Sequence, residues 1–164
     1  MRITQWGEYG ILISAFLAER FAAGAPVVGA AEIAEAQGIQ LQYAQQILLR
    51  LREGGIVQSI RGPGGGYRLS RGASEINLHD ILIAAEGGTF EIICESKPLN
   101  AERCHSQTKC NLRPVWYGLR EQVDTYLRRF TLEHVMATDE SGDAPIQIGG
   151  KREEEQERAE APTT

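Results

Sequence analysis

Residues 61–66 read Arg-Gly-Pro-Gly-Gly-Gly, and this run constrains the fold more than any other stretch of the chain. Four glycines and a proline in six positions cannot propagate a helix, where glycine costs roughly 1 kcal/mol and proline about 3 kcal/mol relative to alanine. Within a sheet they would leave a central strand short of side chains and of one donor. The run must therefore turn the chain between two elements. Two short β-type runs flank it, Ile56–Ile60 and Tyr67–Ser70, and together they predict a hairpin with a glycine-rich tip. A nucleotide-binding phosphate loop does not fit, because no Gly-Lys-Ser/Thr follows and no helix begins there.

The segments before the hairpin have helical periodicity. Over 2–23, Ile3, Ile11, Leu12, Ala15 and Phe16 recur at helical spacing, and Gly24-Ala25-Pro26 breaks the run. Residues 30–36 form a short amphipathic helix ended by Gly38. Residues 40–53 form a second, with Ile47, Leu48 and Leu51 on one face and Gln42, Gln45 and Arg52 outward, stopped by Gly54-Gly55. A short helix, a turn, a polar-faced helix and a hairpin predict a winged helix-turn-helix over 1–72. The second helix would enter the major groove N-terminus first, presenting Gln40, Gln42, Tyr43 and Gln45. Glutamine can pair with adenine edges, and tyrosine can reach base or phosphate. Arg50 and Arg52 lie further along, where phosphate contact is expected. Arg61, at a hairpin tip stiffened by Pro63, suits the strong negative potential of a narrow minor groove.

The net charge of −5 hides a basic patch. Residues 137–164 carry eight acidic and three basic side chains, so the rest of the chain is neutral. Within it, residues 40–72 hold five arginines against Glu53 alone, which is the electrostatic footprint of a nucleic-acid contact.

Beyond the hairpin, residues 76–86 predict a helix with Asn77 as its N-cap. Residues 89–109 are irregular and contain Cys94 and Cys104; Cys110 follows. A long helix is expected over 111–134, with Leu112, Val115, Leu119, Val123, Tyr126, Leu127 and Phe130 on a stripe for burial against the first helix and a partner copy. Trp116 and Tyr117 read as core or interface residues, and Trp6 as packing; His79 and His134 receive no role. These features divide the remainder into 73–136 and an acidic tail, 137–164, read as disordered. Neither a membrane span nor a signal peptide is visible, which places the expected protein in the cytoplasm. There, three clustered cysteines point to metal binding or redox sensing rather than disulfides. No Ser/His/Asp arrangement or paired carboxylates suggest an enzyme.

The order MRITQWGEYG, IRGPGGGYRLS, then CHSQTKC before a long helix resembles the winged-helix iron–sulfur regulators typified by IscR and NsrR, over roughly residues 1–136. The resemblance implies a mainly α fold with a small β wing and a long dimerisation helix. It also implies a homodimer on a near-palindromic operator of double-stranded DNA, acting as a regulator or repressor. Its DNA contacts fall on Gln42, Tyr43, Gln45, Arg61 and Gly62.

Cys94, Cys104 and Cys110, separated by nine and five residues, match the family's cluster ligands, although the first gap is longer than in the IscR type. Arg113 stands where that type has its histidine. The NsrR type takes an acidic residue from the partner's first helix, and Glu8 occupies that place; His105, beside Cys104, is the alternative. The ligand set fits a 4Fe-4S or a 2Fe-2S cluster, with Glu8 favouring 4Fe-4S. The alternative is a regulator of the same fold with no cluster, responding to thiol redox, a metabolite or a protein partner.

Overall fold

The computed structural model describes residues 4–92, 95 and 110–137. Helix α1 (Gln5–Ala22) starts at Thr4, whose hydroxyl accepts from the Trp6 amide at 3.2 Å. Helices α2 (Ala30–Ala36) and α3 (Leu41–Glu53) follow, with Gly38 in the left-handed region between them. Strands β1 (Val57–Ile60) and β2 (Gly66–Leu69) pair antiparallel, Val57 opposite Leu69 and Ile60 opposite Gly66. A 3-10 turn (Ala73–Glu75) leads to α4 (Leu78–Glu86), where Asn77 caps as expected by accepting from the Asp80 amide at 2.9 Å. Helices α5 (Arg113–Arg128) and α6 (Leu132–Met136) complete the described chain.

The predicted helices around the hairpin fall within a few residues of those observed. The long helix over 111–134 does not survive as one piece. It stops at Arg128, and α6 begins after Thr131. Two effects override the apolar stripe. Thr131 and His134 form a reciprocal cap, and residues 130–132 pair with 76–78 in strand fashion, Leu78 donating to Phe130 at 2.8 Å and Leu132 to Ile76 at 2.9 Å. A backbone committed to that ladder cannot also supply helical i→i−4 bonds.

The core is formed by Ile13, Leu17, Ile33, Ile47, Leu48, Leu51, Ile56, Ile76, Ile81 and Leu132, all at most 2% exposed. Burying each such side chain contributes roughly 1.5–3 kcal/mol. It locks α3 and the hairpin onto α1 and α4. Helix α1 crosses α4 closely because Gly7 and Gly10 lack side chains: a Cβ on Gly7 would lie 2.7 Å from Leu82 Cδ2, and one on Gly10 3.0 Å from Ala85 Cβ. The Glu86 carboxylate exploits that approach, accepting from the Thr4 amide (2.8 Å), the Thr4 hydroxyl (3.0 Å) and the Gly7 amide (3.0 Å). A carboxylate from α4 thus satisfies free donors at the positive end of α1.

Helix α5 is tied to α4 near its C-terminal end. Thr89 bonds Asp124, and His79 lies between Asp124 (3.7 Å) and Arg128 (3.1 Å). Of the stripe expected to be buried, Leu112, Val115, Leu119 and Tyr126 are exposed in the single chain, Val123 and Phe130 are half-buried and Leu127 is buried; Trp116 and Tyr117 are exposed beside it.

Candidate nucleic-acid interface and cysteine site

Helix α3 presents two distinct sides. Ala44, Ile47, Leu48 and Leu51 form the buried row. Opposite them Gln42, Gln46 and Leu49 are exposed at i, i+4, i+7 spacing, with Gln45 beside them and Gln40 exposed at the N-cap. Gln46 and Leu49 belong to this outer face and were missed; continuing the helical spacing from Gln42 would have found them.

Tyr43 and Arg50, also expected as contacts, lie on the flank of this face. Tyr43 is half-buried on the flank of α3, edge-on to Trp6 (centroids 4.9 Å) and Tyr9 (5.8 Å). Burial, with a smaller push from Tyr9, raises its phenol pKa against the opposing effect of Arg50. Arg50 has intramolecular partners: its guanidinium sits 4.1 Å over the Trp6 ring, and Nη1 donates to the Ala85 carbonyl at 2.8 Å. Arg52 is exposed.

The hairpin projects beside α3. Arg61 is exposed at its tip, followed by Gly62 at φ +107°, a backbone conformation closed to most side chains. The tip closes through the Gly65 amide on the Gly62 carbonyl at 2.9 Å. At its base Tyr67 exchanges two bonds with Val28 (2.8 and 2.9 Å), holding the α1–α2 linker against the hairpin. That approach requires Gly66, because a Cβ there would overlap the Val28 carbonyl.

Glu8 is exposed in the first turn of α1. Cys110 is exposed just before α5, and its carbonyl accepts from the Arg113 amide at 3.3 Å. Cys94, Cys104 and His105 lie outside the described residues. Glu95 binds the side of α5, accepting from the Tyr117 hydroxyl and from Arg120 Nη1 (3.2 Å). The Tyr117 hydrogen bond, then the Arg120 charge, lowers its carboxyl pKa, and the same bond raises that of Tyr117. Among the described residues no group of three His, Cys, Asp or Glu could hold a metal ion, and no helix is long and apolar enough to cross a membrane.

The sequence profile of the Rrf2 family, described as an iron-dependent transcriptional regulator, matches residues 3–138. The chain belongs to the Rrf2 family. This Rrf2 protein is 31% identical to the HTH-type transcriptional regulator IscR of Photorhabdus laumondii over 159 residues, 97% of this chain and 91% of that one. It is 35% identical to IscR of Serratia proteamaculans over 136 residues, 83% and 79% of the two chains. Among solved structures it is similar to T. potens IscR (TM-score 0.63, 26% identity, 91% and 94% covered). It is equally similar to CymR of B. subtilis, described as the global cysteine regulator (TM-score 0.64, 28% identity, 85% and 99% covered). The α3–hairpin unit is therefore the winged helix of a DNA-binding transcriptional regulator, and not part of an enzyme.

Proposed function

We propose that this Rrf2 regulator is a cytoplasmic homodimer that represses from a near-palindromic operator and senses through an iron–sulfur cluster. The observation that carries the DNA half is the pairing of an exposed glutamine face on α3 with Arg61 on a glycine-shaped tip. Gln40, Gln42 and Gln45 read base edges in the major groove, while Arg61, with the Gly62 backbone close to the duplex, enters the minor groove. Residues 1–72 form the reading head, and 73–136 supply ligands and the dimer contact. The exposed apolar row on α5 supports that contact, because a symmetric copy would bury Val115, Trp116 and Leu119.

The donor set supports the cluster half. Three thiolates, Cys94, Cys104 and Cys110, suit iron held with sulfide, and Arg113 excludes a histidine at the start of α5. When bound, a 4Fe-4S or 2Fe-2S cluster would supply iron that reacts with oxygen or nitric oxide. Cys110 is accessible before α5, and Glu8 is accessible on the first turn of α1, available to the partner's cysteines. A carboxylate is a harder donor than thiolate and the easier ligand to displace. Glu8→Ala should leave the protein able to take up iron but shift its visible spectrum and shorten its lifetime in air; an unchanged spectrum and lifetime would remove Glu8 from the ligand set. The similarity to CymR, described as a global cysteine regulator, supports a second reading, in which the winged helix responds to thiol redox, a metabolite or a protein partner.

A further inference from the structure

The recognition helix carries a second set of contacts that its sequence conceals. Its buried row, Ala44, Ile47, Leu48 and Leu51, sets which face of α3 enters the core, and contacts on the flanks set its rotation more finely. On one flank Tyr43 and Arg50 are seven residues apart, two helical turns on the same side. Both close on Trp6 from α1: Tyr43 meets the ring edge-on at 4.9 Å, and the Arg50 guanidinium lies over it at 4.1 Å. Arg50 also reaches the Ala85 carbonyl at 2.8 Å. That carbonyl lies in the last turn of α4 and lacks an intrahelical donor, so a cation suits it doubly. Three helices thus meet on one guanidinium. One face of the guanidinium and its Nη1 are committed to partners within the protein, although the residue is exposed.

We propose that Trp6 and Arg50 are positioning residues for operator recognition. They hold α3 in the rotation that presents Gln42, Gln45 and Gln46, and they touch no DNA. Bidentate base pairing tolerates about 0.5 Å and 10–20° of error, so a helix free to roll keeps its charge but loses its reading. The proposal rests on the reading of α3 as the recognition helix.

The test uses full-length protein, a duplex enriched by the wild type from a random-sequence pool, and a scrambled duplex, each titrated over a range of salt. Trp6→Ala and Arg50→Lys should each weaken the selected duplex about tenfold, the size expected from one aromatic pair or one cation–π contact. Affinity for the scrambled duplex should hold. Trp6→Phe, which keeps a ring, should recover most of the loss. Arg50→Gln should leave the salt slope unchanged. Arg50 is exposed, so its variants keep the proposal open to refutation even if Trp6→Ala disturbs folding. Wild-type binding by Arg50→Lys would overturn it. So would a fall of about 0.9 in the salt slope of Arg50→Gln with both duplexes weakened alike, the signature of a phosphate contact. A wild type that enriches no sequence would overturn the reading of α3 itself, and the proposal with it.

Discussion

Gly66→Ala should destabilise the protein by about 2–3 kcal/mol, at the upper end of what overpacking costs. The added methyl would overlap the Val28 carbonyl oxygen and lie 2.6 Å from the Val28 carbonyl carbon. These are main-chain atoms held by two hydrogen bonds to Tyr67, at 2.8 and 2.9 Å, so no side chain can swing aside. Either the Val28–Tyr67 bridge opens or β2 shifts in register against β1. A shift of β2 would move the hairpin tip away from α3, so operator affinity should fall as well. Urea unfolding monitored by far-UV circular dichroism measures the first effect. An unchanged midpoint would mean that the linker does not brace the hairpin in solution.

Arg61→Ala should weaken operator binding by about 1–3 kcal/mol, roughly 5- to 150-fold, while leaving unfolding stability untouched. Stability is spared because Arg61 is exposed and the turn is set by its glycines. Affinity is lost because the tip offers the DNA one cation on a backbone that can approach closely. Arg61→Lys should recover part of the loss, since lysine keeps the charge but not the planar donor array. Titration by fluorescence anisotropy decides the matter, and full affinity in the alanine variant would take the hairpin tip off the reading surface.

The winged helix was legible in the sequence because its signals are local. The RGPGGG run, the Gly38 turn and the Gly54-Gly55 stop each act within a few residues, and the structure places elements close to where they point. Asn77 was legible for the same reason. What escaped depends on partners distant in the chain. The apolar stripe reaches Phe130, and no glycine or proline follows it to stop the helix, yet pairing with residues 76–78 ends it there. Glu86 reads as an ordinary helical glutamate, but it caps a helix whose N-cap, Thr4, lies 82 residues earlier. Nothing in the local pattern of α3 shows that Tyr43 and Arg50 both meet Trp6, 37 residues before Tyr43. The ligand reading rests on spacing and donor chemistry, with Cys110 and Glu8 within the described residues and the other two thiols outside them.

The proposed cluster ligands Cys94, Cys104 and Cys110 are tested most directly by the visible absorption spectrum of anaerobically purified full-length protein, read with iron and acid-labile sulfide content per chain. A brown protein with charge-transfer absorption and matching iron and sulfide is expected, together with a colourless Cys110→Ser variant. A wild type that is colourless and iron-free under the same conditions, and remains so after reconstitution with iron and sulfide, would contradict the proposed ligation.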